Sequence, residues 1–250
     1  MNILICNDDG YLATGIALLA KTAATLGKVR VVAPQNNRSG ASNSLTLDRP
    51  LAINQAANGF YYVNGTPTDC IHIALHTQAD FKPDLVLSGI NHGANMGDDV
   101  LYSGTVAAAT EAYLLGIPAI AFSLNDRTDQ YWLTAEHVVR QLLTHLLINF
   151  PTEPILWNVN IPAVAPEQLQ GCRISRLGRR RHEQCVLAAN HPYSENLYWI
   201  GGIGTPDQQI DNTDFSNNAA GYVTITPLST DLTHHQQIAA ADQYWQDVCL

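Results

Sequence analysis

Short apolar runs alternate with stretches of helical spacing through the first 162 residues of the chain. Apolar runs bounded by turn residues are typical of buried strands, and they occur at 2–6, 29–33, 84–90, 119–123 and 155–161. Apolar residues at a three- to four-residue spacing predict helices at 14–26, 66–76, 105–115 and 131–149. This alternation predicts an α/β fold with a mostly parallel, doubly wound sheet and right-handed crossovers.

Boundary signals support this order of elements. Thr66 can cap the second helix, because Pro67 follows at its first position and Asp69 lies in its first turn. Gly27 and Gly116 follow the first and third helices, where a C-terminal glycine is common.

The pattern changes after about residue 162. Short β-like stretches at 173–177, 197–200 and 222–227 are separated by loops rich in Gly, Asn and Asp, and a last helix is predicted at 236–248. We therefore predict a core at 1–162 and, at 163–250, a β-hairpin extension with a C-terminal arm. Long hairpin arms often clasp another subunit, so this second part is the expected oligomerisation arm.

Composition and charge narrow the function classes. The chain has 250 residues and a formal net charge of −9, which gives it no basic surface for a nucleic-acid polymer. Its five cysteines are widely spaced without a C-x-x-C pair, which predicts reduced thiols and a cytoplasmic protein. The N-terminal pattern predicts no secretory signal. No apolar run is long enough to span a bilayer, so no membrane partner is predicted.

Two adjacent carboxylates, Asp8 and Asp9, close the first predicted strand. Neighbours in a strand point to opposite faces, so the two can converge only where the chain turns, and Gly10 allows a turn. They would lie at the carboxyl end of a parallel strand, where open α/β sheets bind ligands. One interpretation is a Mg²⁺ or Mn²⁺ site, since a hard cation relieves their repulsion. The other is an Asx turn followed by a helix cap.

Three further loops follow predicted elements and offer polar groups. The loop 37–44 has small residues whose N–H groups can cradle a phosphate, although its composition also suits a flexible polar loop. Asn91 offers an amide oxygen suited to Mg²⁺, and Asn95 offers a neutral donor. Ser103 and Thr105 open an Ala-rich helix, where they can cap it, bind an anion, or do both. We expect these loops to meet at one rim of the sheet.

Other polar residues near these loops have two interpretations each. His92 can act as an acid or base, or be a solvated loop histidine. Asp98 and Asp99 are interpreted as surface or helix-entry charges, with metal binding as the lesser alternative. The basic run 179–182 can guide an anionic substrate or pair with a partner subunit, and a solvated loop is its default interpretation.

Several sequence strings match one known family. They are N-D-D-G-Y at 7–11, N-R-S-G-A-S-N-S-L-T at 37–46, N-G-T-P-T-D-C at 64–70, S-G-I-N-H-G-A-N-M-G-D-D at 88–99 and Y-S-G-T-V-A-A-A-T-E-A at 102–112. Weaker matches are T-D-F at 213–215 and G-Y-V-T-I-T-P-L followed by D-L-T within 221–233. On these residues the chain closely resembles the SurE family of stationary-phase survival proteins, which are metal-dependent 5′/3′-nucleotidases.

The resemblance implies a set of site residues. One divalent cation per subunit, Mg²⁺ or Mn²⁺, is expected on Asp8, Asp9, Ser39 and Asn91. The loop 37–44 and the family pattern together give an expected phosphate pocket, with Asn95 beside it, at Ser39, Gly40, Asn43, Ser103, Gly104 and Thr105. The residues expected to act in catalysis are Asp8, Asp9, Asn95 and Ser103.

The resemblance also implies a fold and an assembly. The family has a Rossmann-like core with a β-hairpin and a C-terminal arm exchanged between subunits, which implies a homodimer or homotetramer. Gln35 and Asn36 depart from the Asp-Arg expected before the second string. This departure concerns nucleotide preference rather than metal chemistry. Base preference, 5′ or 3′ preference, the physiological metal and the choice of dimer or tetramer stay open.

The resulting hypothesis is a phosphomonoesterase that converts nucleoside 5′- and 3′-monophosphates to nucleoside and phosphate, with short polyphosphate as a further substrate implied by the family. Asp8 is either the nucleophile or the residue that orients and deprotonates water. The alternative is a nucleotide-binding sensor without turnover. A dehydrogenase is disfavoured, because the first strand–helix turn lacks G-x-G-x-x-G. A haloacid-dehalogenase phosphatase is disfavoured as well, because its paired acids are spaced two apart.

Overall fold

The computed structural model describes residues 1–181, 186–191, 194–200, 204–207, 209–246 and 248. The strands are β1 Asn2–Cys6, β2 Lys28–Pro34, β3 Ile53–Gln55, β4 Tyr61–Val63, β5 Leu85–His92, β6 Ala119–Leu124, β7 Leu156–Ile161, β8 Cys172–Ile174, β9 Val186–His191, β10 Ser194–Ile200 and β11 Val223–Pro227. The α-helices are α1 Thr14–Ala23, α2 Pro67–Thr77, α3 Gly104–Leu114, α4 Trp132–Ile148, α5 Asp214–Ala219 and α6 Ile238–Trp245.

A nine-stranded sheet forms the centre of the described chain, in the order β3-β4-β2-β1-β5-β6-β7-β11-β8. The strands from β4 to β7 in this order are parallel to one another. At the two sides, β3 runs antiparallel to β4 and β11 runs antiparallel to β7. The predicted mostly parallel, doubly wound α/β sheet is therefore confirmed.

The alternation of side chains along the strands divides the core into two layers. Ile3 and Ile5 point to the face that α1 and α4 cover, and Leu4 and Cys6 point to the face that α2 and α3 cover. All four side chains are buried. A strand with apolar residues on both sides must be covered on both sides, which is why β1 lies in the middle of the sheet.

The path of the chain creates a crevice beside β1. The chain leaves β1 for β2 on one side of it and later returns to β5 on the other side. Such a reversal of strand order opens a crevice at the carboxyl ends of the strands, where doubly wound folds bind ligands. The predicted site residues follow β1 and β2 or lie at and after the end of β5, so they are at or next to this crevice.

The predicted helix ends are largely correct. A capping box starts α2, with the Thr66 side chain accepting from the Asp69 N–H and the Asp69 carboxylate accepting from the Thr66 N–H. Ser103 caps α3 by accepting from the N–H of Val106 at 3.1 Å. The first helix ends at Ala23 rather than at 26, because the chain tightens into a turn before Gly27.

The second part of the chain differs in detail from the prediction. The predicted β-hairpin is present as β9 and β10, but it forms its own two-stranded sheet rather than extending the main one. Instead, β8 and β11 join the main sheet, where β11 pairs with both β7 and β8. The strands β3, β4 and β9 and the helix α5 were not expected from the sequence pattern.

Candidate active site

The turn after β1 holds the two adjacent carboxylates. Asn7 braces this turn, since its amide nitrogen donates to the Gly10 carbonyl at 2.9 Å and its amide oxygen accepts from the Gly10 N–H at 3.2 Å. Gly10 has a φ of +100°, a backbone conformation that favours glycine. Strand geometry has therefore ended, which allows Asp8 and Asp9 to lie on the same side of the sheet edge.

Asp8 is buried against the N-terminus of α3. Its side chain accepts a short hydrogen bond from the Thr105 hydroxyl. A Cβ at Gly104 would lie 2.7 Å from the Asp8 Cβ, so the helix can approach this closely only with glycine there. Burial is the main cause that raises the pKa of Asp8 to about 6; the negative charge of Asp9 contributes to this rise, and the Thr105 hydrogen bond opposes it.

Asp9 is half-buried and connects two loops. It accepts from the backbone N–H of His92 at 3.2 Å and from the Asn37 amide at 3.5 Å. Burial raises its pKa above the usual range, while the His92 N–H and the positive charges of His92 and Arg127 oppose the rise. The two carboxylates therefore lie side by side in an environment that disfavours their charge.

The loop after β2 closes over the first carboxylate. The N–H of Arg38 donates to the Asp8 carbonyl at 2.7 Å, and the N–H of Ser42 donates to the Tyr102 carbonyl at 3.2 Å. These two hydrogen bonds hold the loop between β1 and the start of α3. Ser39 and Gly40 are exposed and line the cavity described below.

The loop after β5 is fixed by amide side chains from β7. Asn95 donates from its backbone N–H to the Asn160 side chain at 2.8 Å, and its carbonyl accepts from the Asn158 and Asn160 amides at 2.7 and 2.9 Å. Its own side-chain nitrogen donates to the Ser123 hydroxyl at 2.8 Å. Nearby, the Asn91 side-chain nitrogen donates to the Gly93 carbonyl at 2.8 Å. Both Asn side chains are thus oriented by bonds that engage their nitrogens.

A cavity of about 240 Å³ lies between these loops. The residues that line it are Asp8, Ser39, Gly40, Asn91, His92, Ala94, Asn95, Asp99, Tyr102, Ser103 and Arg127. The cavity is open to solvent on the Tyr102 side, where that side chain is 63% exposed. A cavity at the carboxyl ends of the parallel strands, beside a helix N-terminus, suits an anionic ligand.

The chain is similar to known proteins over most of its length. A family model described as "Survival protein SurE" matches residues 3–184, which is more than half of the sequence. The chain belongs to the SurE family. The resemblance stated from the sequence strings is confirmed.

The SurE relatives match over almost the whole chain. A protein of Neisseria gonorrhoeae named 5′-nucleotidase SurE is 59% identical over 98% of this chain and 99% of its own. A protein of Chromobacterium violaceum with the same name is 50% identical over 95% of this chain and 96% of its own. The SurE protein from Aquifex aeolicus, whose crystal structure is known, is 38% identical in sequence, and the two structures superpose with a TM-score of 0.85. The match covers 99% of this chain and 100% of the Aquifex chain.

The fold of this chain brings together most of the residues predicted for the site. Asp8, Ser39, Gly40, Asn91, Asn95 and Ser103 all line the cavity. Asp9 is adjacent to it, whereas Gly104 and Thr105 lie behind the wall, where Thr105 uses its hydroxyl on Asp8. Asn43 is exposed and does not line the cavity. Their roles in binding and catalysis stay predictions.

Three of the residues that line the cavity were not identified from the sequence. Arg127, Tyr102 and Asp99 line the cavity without having been proposed for the site. Arg127 follows β6, so the rule that ligands bind at the carboxyl ends of strands would have found it. Asp99 fits the helix-entry interpretation rather than the surface one, because it lies in the first turn of the 3-10 helix Gly97–Leu101, accepts from Nε and Nη2 of Arg180 and is 12% exposed.

The basic run at 179–182 is partly integrated into the fold. Arg180 pairs with Asp99, and its backbone N–H donates to Asp98 at 3.0 Å. Arg181 lies 3.3 Å from an Asp207 carboxylate oxygen. His182 lies outside the described residues. For Arg180, therefore, the interpretation as a solvated loop residue does not hold.

The donor set fits a hard divalent cation. Asp8 and Asp9 provide two carboxylates whose charge the burial disfavours, and a cation between them would restore the ionised forms. Ser39 and Asn91 add a hydroxyl and an amide oxygen, which are ligands that Mg²⁺ accepts. Among the described residues no three His, Cys, Asp or Glu side chains cluster. Neutral oxygens would thus have to complete the coordination.

Across the described part of the chain, no helix combines the length and the apolar character needed to cross a bilayer.

Proposed function

We propose that this protein is a divalent-metal-dependent phosphomonoesterase that hydrolyses nucleoside 5′-monophosphates, and also 3′-monophosphates and short polyphosphate. The relatives named 5′-nucleotidase SurE, which are 50% to 60% identical over nearly the whole chain, support the 5′-nucleotidase activity. The observation that carries the proposal is the cavity of about 240 Å³ bordered by Asp8, Ser39, Asn91 and the start of α3. It combines cation ligands with anion-binding groups.

The residues have separate roles in this proposal. Asp8, Asp9, Ser39 and Asn91 would hold one Mg²⁺ or Mn²⁺. The cation would draw charge from a phosphate oxygen. The N–H groups of Arg38, Ser39, Ala41 and Ser42 are bonded within the protein, so the exposed Gly40 and the N-terminus of α3 would stabilise negative charge on the phosphoryl oxygens. Asn95 donates to the same group.

Asp8 has two possible roles in the transfer, which the sequence left open. As nucleophile, it attacks phosphorus, expels the nucleoside oxygen and is regenerated by water. As base, it takes a proton from water, which then attacks phosphorus directly. Acid quenching during turnover of a substrate with radiolabelled phosphate distinguishes them, because only the first route leaves phosphate covalently attached to the Asp8 carboxylate.

The test is a panel of nucleoside monophosphates assayed for released phosphate with added Mn²⁺ or Mg²⁺ and with chelator. We expect the chelator to abolish release and Asp9→Asn to lower kcat/KM at least about 100-fold, since metal-site changes commonly have effects of this size. Asp48→Asn removes an exposed carboxylate in the chain and serves as the control. Release that persists with chelator and in Asp9→Asn would contradict the site, and binding without release would favour the sensor.

We also propose that the protein is a cytoplasmic homodimer or homotetramer assembled through its C-terminal extension. Free thiols at Cys6, Cys70 and Cys172 support a reducing location, while Cys185 and Cys249 lie outside the described residues. Exposed apolar residues on β9, β10 and α6 support the assembly.

A further inference from the structure

Arg127 lies in the loop between β6 and α4, and this loop is held in place from within. The Asp126 carboxylate accepts from the N–H of Thr128 at 2.8 Å, from the Thr128 hydroxyl at 2.6 Å and from the N–H of Gln130 at 3.0 Å. Asp126 is buried, although the residues that follow it are exposed. The backbone of Arg127 is therefore anchored next to the crevice, while its side chain is free to extend.

The side chain of Arg127 reaches the wall of the cavity. It lines the cavity together with Asp8, Asn91 and Ser103. A Cβ at Gly93 would lie 3.3 Å from the Arg127 Nε, so the guanidinium passes over a glycine. Gly93 has a φ of +123° and is buried. The loop after β5 thus leaves room for a large cationic group at this place.

Within the described part of the chain the guanidinium forms no hydrogen bond and no ion pair within 4.0 Å, and its charge acts on the Asp9 carboxylate from a longer distance. Arg30, Arg140, Arg180 and Arg181 each lie within 4.0 Å of a carboxylate oxygen, and no such pair or hydrogen bond involves the Arg127 side chain. The nearby Asp129 instead accepts from the Trp132 indole at 2.9 Å and lies 3.6 Å from His92. Arg127 is therefore a cation at the cavity whose side-chain N–H donors are not engaged by the described residues.

The chemistry of the site indicates what this cation binds. The surroundings are acidic, since Asp8 and Asp99 also line the cavity and the chain carries a formal net charge of −9. An anionic substrate must approach through this field, and a guanidinium offers a planar pair of donors that matches two oxygens of a phosphate. We infer that Arg127 binds the phosphate group of the substrate at the mouth of the cavity. This inference rests on the proposed function.

Such a contact is made in the bound substrate and in the transition state alike. It therefore adds to substrate affinity rather than to the chemical step. Arg127→Gln is expected to raise KM for a nucleoside 5′-monophosphate at least 10-fold, with kcat changed less than 3-fold. The inhibition constant for inorganic phosphate should rise by a similar factor. Arg127→Lys should lie between, because it keeps the charge and loses the paired donors.

The experiment measures KM, kcat and phosphate inhibition for wild type, Arg127→Gln, Arg127→Lys and the control Arg140→Gln, with Mn²⁺ present. Arg140 pairs with Glu136 on the surface of α4 and does not line the cavity, so its variant should match wild type. An Arg127→Gln protein with unchanged KM and phosphate inhibition overturns the inference. A loss of kcat in both Arg127 variants, with lower melting temperatures, would also overturn it by indicating a structural role.

A second measurement separates this inference from the proposed function. Calorimetric binding of inorganic phosphate to the Mn²⁺-loaded proteins requires no turnover. If wild type binds phosphate but hydrolyses none of the panel, the proposed function fails, while a 10-fold weaker affinity in Arg127→Gln still supports the binding role. Equal phosphate affinity in the two proteins would contradict the role whatever the activity.

Discussion

Asp8 lines the cavity of the candidate site, and its burial there disfavours the ionised form of its carboxylate. The side chain belongs to a residue that is 4% exposed, and burial is the main cause that raises its pKa to about 6. The folded pKa lies above the value of an unfolded aspartate, so the folded state retains a proton in the interval between them. Ionisation of Asp8 therefore lowers the free energy of unfolding as pH rises, with the full cost present above about pH 6.

Asp8→Asn is expected to stabilise the metal-free protein. With chelator at neutral pH, the substitution should raise the free energy of unfolding by up to about 3 kcal/mol, since each pKa unit corresponds to about 1.4 kcal/mol. The gain should shrink toward pH 4, where wild-type Asp8 is protonated as well. Urea unfolding across this pH range measures the effect, with Asp48→Asn as the surface control. A gain in the free energy of unfolding that is equal at neutral pH and at pH 4 would contradict the raised pKa of Asp8.

At the residue scale, the sequence predicted the groups that follow strands directly. Asp8, Ser39 and Asn91 were each placed by the rule that strand ends meet at one edge, and all three line the cavity. Arg127 was not predicted: the same rule, applied to β6, places its loop at this edge, but no sequence pattern shows that its side chain points into the cavity. Its direction depends on the bare backbone at Gly93, which only the folded chain brings near it.

At the scale of elements, the loop that carries Asn95 and Ser103 is tied to the second part of the chain. The Asp214 carboxylate, at the start of α5, accepts from the N–H groups of Gly97 at 2.7 Å and Gly178 at 2.8 Å. Arg180 adds its two-pronged contact with Asp99. The short α5 and the segment around residue 180 thus fix the position of a loop that carries two of the residues proposed for the site.

Arg180→Ala is expected to loosen this loop. The Arg180 and Asp99 side chains are 18% and 12% exposed, so removal of one leaves the other charge partly buried and unpaired. We expect a loss of about 2 kcal/mol in the free energy of unfolding, below the range for fully buried pairs, and a lower kcat. Urea unfolding and steady-state kinetics measure the two effects. Arg181→Ala is the control, because its pair with Asp207 is more exposed. Unchanged kcat in Arg180→Ala would contradict the positioning role.

Three of the elements that the sequence missed, β3, β4 and α5, are short or polar. The strands β3 and β4 contain three residues each, too few for a period-2 pattern to appear. The helix α5 has six residues and only one large apolar side chain, Phe215, so its helical spacing is invisible. Its start is nevertheless encoded, since Thr213 caps it by accepting from the Ser216 N–H at 3.1 Å.

At the scale of the whole molecule, the exposed apolar side chains concentrate in the second part. Trp199 and Ile200 on β10 are 70% and 92% exposed, and Tyr244 and Trp245 on α6 are exposed as well. Large exposed apolar side chains grouped on one hairpin of a single chain are typical of an interaction site. This observation supports the proposed self-association through the extension.

Replacement of Trp199 and Ile200 by serine is expected to shift the protein toward monomer. The two side chains supply apolar area that a second copy would cover, and their loss should raise the dissociation constant at least about 10-fold, equal to about 1.4 kcal/mol. Light scattering after size-exclusion chromatography measures the mass over a concentration series. Leu133→Ser is the control, since Leu133 is 74% exposed on α4, away from the hairpin. Identical masses for the hairpin variant and wild type would contradict this assembly surface.

The division at residue 162 stays a prediction at this scale. The regular alternation of strands and helices ends with β7. The sequence pattern did not show that β8 and β11 return to the main sheet, since pairing between distant segments leaves no local pattern. The second part of the chain therefore completes the central sheet as well as carrying the hairpin.

The two outermost strands of the sheet have a consequence for how copies of the molecule meet. Both of them, β3 and β8, contain three residues, so each presents few unpaired backbone groups as a template for another chain. Without β11, the six-residue β7 would form a longer and more hazardous edge. By pairing with β7, the strand β11 thus prevents edge-to-edge pairing between the sheets of two copies. Contacts between copies would then be made by side chains rather than by the backbone of a sheet edge.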